Sequence, residues 1–463
     1  MLFIINIFAS QNKFTTKLNM KRKLYNSLLA WKKDPDHKPL ILEGVHQVGK
    51  TWLLKEFGKN EYDNLVYINF QDSPDAQSIF SQNLNIKRII GSLEAYTGKR
   101  IIAGKTLIFM DEIQEAPNGL NNLKYFCEDA RNQDVVVAGS LLGITHRQGE
   151  SYPVGKVNLL YLYPMSFEEF LWAKGEEILA NAISRLDWEM MRTLETKLQE
   201  CLRQYYYVGG MPEAVLQYTL KGDINKVRKI QNEILKTYDN DFAKHAGKKT
   251  ERIRMVWKSI PAQLAKENKK FIYGAVKDGG RARDFEIAIQ WLVKTGLVYK
   301  IHNCKSPDMP LKFYEDFDSF KLYLMDVGLL GAMSNASPRL MLVSNDVFVE
   351  FKGAFTENYV LQQLKTIENL DIYYYSKEKS TLEIDFLVQT ENHITPVEVK
   401  AEENVKSKSL SQFVNVDYAD RQFKGVRCSM KQYIDQEWMI NIPLCSIYAY
   451  FTENNNLLSN TEL

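Results

Sequence analysis

Cysteine is scarce in this sequence, and long apolar runs are missing. The five cysteines are widely separated and no two of them form a CxxC pair, which argues against a disulfide framework and against a zinc knuckle. The longest apolar stretch near the N-terminus, Leu2 to Ala9, is interrupted by Asn6 and is too short to span a bilayer. These absences predict a cytoplasmic protein without a membrane segment.

Glycine, proline and net charge are also low. The chain of 463 residues has 24 glycines and 13 prolines, whereas 45% of its residues are hydrophobic, which excludes a fibrous repeat and a disordered chain. At roughly 150 residues per domain, this length allows about three domains. The net charge is only +2, and on its own this value argues against a polyanionic partner.

The first third of the chain contains five short, continuous apolar runs. Continuous apolarity is typical of strands that are buried on both faces of a parallel sheet. The segments between the runs are mostly long enough for crossover helices, so the pattern predicts an α/β domain. The runs comprise residues 40–42, 65–70, 107–110, 135–138 and 159–163.

A phosphate-loop motif follows the first run. The residues from Gly44 to Thr51 read GVHQVGKT, a full match to G-x-x-x-x-G-K-[ST] between a strand and a helix. In such a loop the backbone amides surround the phosphates, Lys50 neutralises the β and γ oxygens and Thr51 ligates Mg²⁺. His46 is expected to be a spacer in the loop. The predicted ATP-binding residues here are Gly44, Gln47, Val48, Gly49, Lys50, Thr51 and Trp52.

Two carboxylates end the third run, where open α/β sheets bind their ligands. Asp111 is expected to hold Mg²⁺ through water, and Glu112 to activate the attacking water. With Lys50, Glu112 is thus a predicted catalytic residue of an ATP hydrolase. The alternative is an Asp-Glu helix cap. Ser140, after the fourth run, is either a γ-phosphate sensor or a turn serine.

These motifs together resemble a family of bacterial and archaeal AAA-type ATPases that carry a fused C-terminal domain of unknown function. The resemblance covers nearly all of the chain after Met20. It also rests on segments 111–114, 138–140, 149–156, 163–170 and 209–213. Members commonly have arginine where Lys156 stands, and lysine lacks the planar fork of a guanidinium. Arg147 and Arg131 are the other candidates for a basic finger, in cis or in trans.

The middle of the chain contains a basic segment that the net charge conceals. Residues 244–283 carry +9, which leaves −7 for the rest of the chain. The segment belongs to a helix–turn–helix pattern that two strands follow. This order is typical of a winged helix, and the resemblance implies the same fold. Lys277, Arg281 and Arg283 are candidate DNA contacts, or else they form a solvated basic helix face.

The last third contains a second set of charged residues. Glu398 and Lys400 share one face of a strand, Asp385 lies on the preceding strand, and Glu357 lies on a helix. The set resembles a PD-(D/E)xK restriction-endonuclease-like core, in which Asp385 and Glu398 would hold Mg²⁺. The alternative is that this fold is kept and the chemistry is lost.

The sequence thus predicts a P-loop α/β domain, a helical and winged-helix middle and a nuclease-like α/β domain. The expected function is Mg²⁺-dependent ATP hydrolysis coupled to a conformational change on nucleic acid, with DNA favoured, and nuclease activity is a further option. The alternative is a nucleotide-dependent switch with an inactive docking domain. The other expected partner is a second copy or another protein. The predicted division is an extension (1–19), ATPase (20–167), helical lid (168–245), basic module (246–335) and nuclease-like domain (336–463).

Overall fold

The computed structural model describes most of the chain after residue 19. The described ranges are 20–81, 85–139, 153–266, 269–338, 342, 349–377, 380–401 and 407–459. None of the helices in these ranges combines the length and the apolarity that crossing a membrane requires.

The N-terminal domain is built on a parallel five-stranded sheet with the strand order β2-β3-β4-β1-β5. The strands are β1 (Leu40–Glu43), β2 (Asn64–Asn69), β3 (Thr106–Asp111), β4 (Val135–Ala138) and β5 (Asn158–Tyr161). All five predicted strands are therefore confirmed. The accompanying helices are α1 (Leu24–Lys33), α2 (Lys50–Glu61), α3 (Pro74–Ser81), α4 (Ile86–Thr97) and α5 (Gly119–Asp129).

A helical region follows the sheet. Its helices are α6 (Phe167–Ala173), α7 (Glu177–Ser184), α8 (Trp188–Thr193), α9 (Glu195–Val208), α10 (Pro212–Lys221) and α11 (Ile224–Ala246). The long helix α11 begins where the Asp223 side chain accepts hydrogen bonds from two backbone amides, which satisfies donors that the first turn leaves free. Its buried apolar side chains recur at helical spacing, at Val227, Ile234, Tyr238 and Phe242.

The basic segment forms a pair of packed helices and an antiparallel ribbon. The elements are α12 (Thr250–Leu264), α13 (Tyr273–Val276), α14 (Ala282–Lys294), β6 (Val298–Cys304), β7 (Glu315–Leu324) and α15 (Val327–Met333). Phe285, Ala288, Ile289 and Leu292 of α14 are buried, so this helix has one apolar face toward the core. The predicted order of helix, helix and two strands is confirmed.

The C-terminal elements belong to a second, mixed sheet. They are α16 (Val349–Leu364), β8 (Asp371–Ser376), β9 (Glu383–Gln389), β10 (Ile394–Val399), α17 (Lys408–Gln412), β11 (Gly425–Ser429), β12 (Ile434–Asp435), β13 (Met439–Pro443) and α18 (Ile447–Ser459). The strand order β12-β13-β11-β10-β9-β8-β6-β7 includes the ribbon of the basic module.

This continuous sheet crosses the predicted boundary between residues 335 and 336, and the boundary itself stays a prediction. Asn303 of β6 pairs with Tyr374 of β8, so the ribbon and the C-terminal strands share one sheet. The pairing joins edge strands whose backbone donors and acceptors would otherwise need other partners. The alternation of side chains within a strand does not show which neighbour an edge strand will pair with.

A buried arginine ties the phosphate loop to the rest of the N-terminal half. Arg22 donates hydrogen bonds to the carbonyl oxygens of Val48 (3.0 Å) and Tyr163 (2.5 Å). Its Nε lies 3.2 Å from Glu169, and only 6% of the residue is exposed. A buried guanidinium is tolerated only when its charge and donors are matched. Arg22 therefore holds together the loop, the end of β5 and the start of α6.

Lys23, the next residue, extends these contacts to α18 near the C-terminus. The ammonium group of Lys23 lies 2.8 Å from Glu168 and 2.9 Å from the centre of the Tyr448 ring on α18. Burial lowers the pKa of Lys23, and Glu168 opposes that shift. Arg22 and Lys23, which directly precede α1, thus contact the phosphate loop, the helical region and the last helix.

Replacing Arg22 with methionine should therefore destabilise the fold. The substitution leaves Glu169 buried without its partner, and we expect the free energy of unfolding to fall by about 3 kcal/mol. The measurement is urea unfolding at neutral pH. Lys21→Met is the matched control, because Lys21 pairs with Glu177 at the surface and its loss should cost at most about 1 kcal/mol. Equal effects of the two substitutions would contradict the role of Arg22.

Candidate active site

The phosphate loop lies between β1 and α2, and its shape depends on two glycines. Gly49, directly before α2, has φ 98°, and Gly44 has φ 149°. A Cβ atom at Gly44 would lie 2.5 Å from the carbonyl oxygen of Leu162, so no larger residue fits there. The loop therefore follows β5 closely and delivers the chain to the N-terminus of α2, where backbone amides favour anions.

The side chain of Lys50 extends back into the phosphate loop that precedes it. Its ammonium group donates hydrogen bonds to the carbonyl oxygens of Gly44 (2.8 Å) and Val45 (3.0 Å). Burial lowers the pKa of Lys50 to about 8, and the carboxylates of Glu112 and Asp111 oppose that shift. A buried cation between a loop and two carboxylates is suited to neutralising a phosphate group.

Thr51 and Asp111 meet as the sequence predicts. The Thr51 hydroxyl donates to Asp111 Oδ2 at 2.9 Å, and the Tyr67 hydroxyl donates to the same oxygen at 3.2 Å. Burial raises the pKa of Asp111, and the hydrogen bond from Thr51 opposes that shift. A hydroxyl and a carboxylate oxygen in contact are a donor set that fits Mg²⁺. Mg²⁺ held there would neutralise charge on the β- and γ-phosphates.

Glu112 has a strained backbone. Its φ is 51°, in the left-handed region, and the 3₁₀ turn Ile113–Glu115 follows it directly. The Gln114 side chain donates a hydrogen bond to Glu112 Oε2. Strained residues cluster at functional sites because they fix a side chain in one direction. Gln114 is part of the motif that carries the resemblance, but the sequence alone does not show this contact.

The remaining predicted loop residues differ in exposure. Val48 is buried beneath Arg22, Gln47 is exposed, and the Trp52 ring is 45% exposed one residue after Thr51. Ser140 and Arg147 lie outside the described residues, so their predicted roles stay predictions.

The predicted basic finger does not act in cis through Lys156 or Arg131. Both residues precede strands, β5 and β4 respectively, whereas the phosphate loop follows β1 of the same parallel sheet. They therefore lie at the opposite edge of the sheet from their own nucleotide site. Lys156 contacts Glu128 (2.9 Å) and Arg131 contacts Asp36 (2.7 Å) at that edge. A contact of either residue in trans stays a prediction.

A contact from α11 to the loop was missed by sequence reasoning. The Tyr238 hydroxyl donates to the carbonyl oxygen of His46 at 2.9 Å, although 192 residues separate the two. No motif marks Tyr238, and its only signal in the sequence is its place in the apolar stripe of α11. The phosphate loop is thus held from one side by Arg22 and from another by Tyr238.

The C-terminal charged residues form two sets of ion pairs. In the first, Glu357 contacts the Lys269 ammonium and accepts a hydrogen bond from Tyr323 at 3.1 Å. Lys321 is completely buried and contacts Glu383. Despite burial, the surrounding carboxylates Glu357 and Glu383 raise the pKa of Lys321. Lys269 and Lys321 come from the basic module, so these ion pairs join it to helix α16 and strand β9 of the C-terminal region.

Asp385 belongs to this first group. Its Oδ2 accepts a hydrogen bond from the Val399 amide at 2.7 Å. Burial and the Glu357 carboxylate raise the pKa of Asp385 to about 8, and Lys321 and Lys269 oppose that shift. Asp385 is thus a third carboxyl group beside the two lysines.

Glu398 and Lys400 form the second group. The predicted shared face is confirmed, because the two side chains form an ion pair of 3.0 Å. The predicted convergence of Asp385 with them on a Mg²⁺ site stays a prediction. Between Tyr373 and Tyr375, two steps along β8 oppose three along β9. This bulge falls beside Asp385 in the pairing of β9 with β8, whereas the pairing of β9 with β10 continues in register as far as Phe386 and Val397.

A metal site at these charged groups would need several convergent ligands. Across the described ranges, no group of three or more His, Cys, Asp or Glu side chains is arranged to hold a metal ion. Glu357 contacts Lys269, and the charges of Lys321 and Lys269 also act on Asp385. These lysines would compete with a Mg²⁺ ion for the carboxylates, and the predicted metal site stays a prediction.

Three protein-family models match the chain. A model described as an AAA domain matches residues 36–171. Two domains of unknown function follow, DUF8612 at residues 199–340 and DUF4143 at residues 352–446. An uncharacterized protein of Haemophilus influenzae is 25% identical over 214 residues. That match covers 43% of this chain and 46% of the relative, so the chain spans less than half the length of this curated relative.

Solved structures of low similarity were also found. The Orc1 protein of Aeropyrum pernix in complex with DNA has 14% identity and a TM-score of 0.28, over 68% of this chain and 92% of that one. The RuvB Holliday junction branch migration motor of Thermotoga maritima has 15% identity and a TM-score of 0.30, over 62% and 89%. Such scores do not establish a common overall fold. The family model and the geometry of the loop show that the N-terminal third of the chain is an AAA-type P-loop ATPase domain.

Proposed function

We propose that the chain is a Mg²⁺-dependent ATP hydrolase whose nucleotide state moves the helix pair α12–α14 on nucleic acid, with DNA favoured over RNA. One observation carries this proposal: within a single turn of α11, neighbouring side chains contact both the phosphate loop and the helix pair. Nucleotide binding and a conformational response therefore have a short physical connection.

The chemistry follows from the residues of the loop and of the end of β3. Lys50 and the loop amides hold the phosphates, and Thr51 and Asp111 hold the metal. Glu112 takes a proton from the attacking water, with Gln114 fixing the carboxylate. The strained backbone at Glu112 restricts the directions in which that carboxylate can point.

The path from the loop to the helix pair consists of packed rings. Tyr238, which bonds to the loop, has its ring centre 6.5 Å from that of Trp257 on α12. One turn later, Phe242 lies 5.7 Å from Trp257 and 5.4 Å from Trp291 on α14. Closely packed interiors transmit displacement because they contain little free volume. A shift of α11 against the loop should therefore move α12 and α14.

The surface that would contact nucleic acid lies at the start of α14. Lys277, Arg281 and Arg283 are all exposed, in a segment whose net charge is +9. Arg281 is the residue before α14, and its amide donates to Asp284. Exposed cations at the start of a helix that follows a turn suit phosphate contacts in a groove.

ATP hydrolysis is the first test of this function. Lys50→Ala should abolish ATP binding, because it removes the cation that neutralises the phosphates. Glu112→Gln should bind ATP with near-normal affinity and lower the hydrolysis rate by at least about a hundredfold, since the amide cannot accept the proton. Titration calorimetry and phosphate release measure the two effects. Unchanged hydrolysis in either variant would refute the assignment.

Nucleic-acid contact is tested through its effect on the ATPase. We expect DNA to change the hydrolysis rate, and this response to weaken steeply between 50 and 200 mM salt in the manner of phosphate contacts. Replacing Arg281 and Arg283 with alanine should remove most of the response. Lys294→Ala is the matched control, because Lys294 is exposed at the other end of α14. A response that is absent in the wild type, or independent of salt, would count against DNA as the partner.

For the C-terminal domain, the ion pairs favour a docking role over nuclease activity. The carboxylate of Glu357 already has a lysine partner, and Lys321 occupies the space beside Asp385 and Glu383. A nuclease needs those carboxylates to bind metal ions and orient water. We therefore propose that this domain binds a partner, and that its ion pairs with the basic module connect it to the ATPase.

Plasmid nicking with Mg²⁺ or Mn²⁺ separates the two roles. We expect no cleavage by the wild-type protein above the background of Asp385→Ala and Lys400→Ala. Cleavage by the wild type that both substitutions abolish would instead establish a nuclease and overturn the docking proposal.

A further inference from the structure

Asp241 on α11 points toward the phosphate loop, and one of its oxygens lacks a hydrogen-bond partner within the described part of the chain. Its Oδ2 is buried and accepts no hydrogen bond from any described residue. The His46 ring lies beside it, with Nδ1 4.0 Å from that oxygen. Buried carboxylate oxygens are normally hydrogen-bonded, so an exception at this position calls for an explanation.

The surroundings of Asp241 place it at the mouth of the nucleotide site. The Lys50 ammonium, which reaches the β- and γ-phosphates in such loops, contacts the carbonyl oxygen of Val45, the residue before His46. Burial raises the pKa of Asp241, His46 and Lys244 oppose that shift, and Glu112 adds to it. Glu112 also acts on Lys50. Lys50, His46, Glu112 and Asp241 therefore form a group of charged or ionisable side chains around the phosphate loop.

ATP and ADP would affect these four side chains differently. The γ-phosphate adds about two negative charges, and Asp241 and Glu112 already contribute two carboxylates nearby. His46 can pair with Asp241 or with a phosphate oxygen. When a γ-phosphate is bound, the ring gains a more highly charged partner, and Asp241 faces increased repulsion in a site of low polarity. With ADP, neither change occurs.

We propose that His46 and Asp241 form a pair that senses the γ-phosphate. His46 exchanges Asp241 for the γ-phosphate when ATP binds, and the repulsion of Asp241 loosens α11 from the loop. The inference rests on the proposed ATPase function and deepens it, because it names the residues that distinguish ATP from ADP. It also gives His46 a role beyond that of a spacer, as a positioning residue.

The test compares the affinities of variants for ADP and for a non-hydrolysable ATP analogue in the presence of Mg²⁺. In Asp241→Asn the repulsion is absent, so affinity for the analogue relative to ADP should rise roughly tenfold. In His46→Ala the phosphate loses a partner, so the same ratio should fall. Opposite shifts from two neighbouring substitutions cannot come from a general loss of stability. The matched control is Asp239→Asn, because Asp239 lies on the same helix and pairs with Arg254.

Hydrogen exchange of α11 gives a second measurement on the full chain. In the wild type we expect residues 238–246 to exchange faster with the analogue than with ADP, and in Asp241→Asn we expect no difference. An unchanged affinity ratio in Asp241→Asn, or shifts in the same direction in both variants, would overturn the sensing pair while leaving the ATPase in place. If the wild type binds neither nucleotide, the proposed function fails as well.

Discussion

The contact between α11 and the phosphate loop is the interaction on which the arrangement of this molecule depends. A P-loop by itself binds nucleotide, but it can influence other parts of the chain only through what packs against it. Here the hydroxyl of Tyr238 reaches a loop carbonyl, and the next turn of the same helix packs between two tryptophans of the basic module. Loop and module cannot move independently while these contacts persist.

The second sheet connects the basic module to the C-terminal strands. Its ribbon strands belong to the basic module, yet the sheet continues into the C-terminal strands through β6 and β8. The ion pairs of Lys321 with Glu383 and of Lys269 with Glu357 cross the same boundary. Breaking either pair would leave a buried charge without a partner. We therefore expect the ribbon and the C-terminal strands to move together.

Local features of the sequence were predicted well, because their physical causes are local. Continuous apolar runs located all five strands of the first sheet, and the spacing of the motif placed Thr51 beside Asp111. Arg22 and Tyr238 were missed because their partners lie far away in the sequence, at separations of 26 to 192 residues. Nothing near either residue indicates such a partner.

The C-terminal charged residues show a second limit of prediction from sequence. The pairing of Glu398 with Lys400 follows from strand alternation and is present. Asp385 lies beside an extra residue of β9 that shifts the pairing of this strand with β8. A bulge changes which face a side chain occupies without changing the composition of the strand. The buried Lys321 was likewise not predicted, since a lysine in a strand is usually exposed.

The most direct test of the central claim measures the distance between the ATPase domain and the basic module. Spin labels would replace Lys59 on α2 and Gln290 on α14, both of which are exposed. The account predicts that the distance distribution with ADP differs from that with a non-hydrolysable ATP analogue, and that Phe242→Ala removes the difference. The same distribution with both nucleotides, in a protein that binds them, would show that α11 does not transmit the nucleotide state.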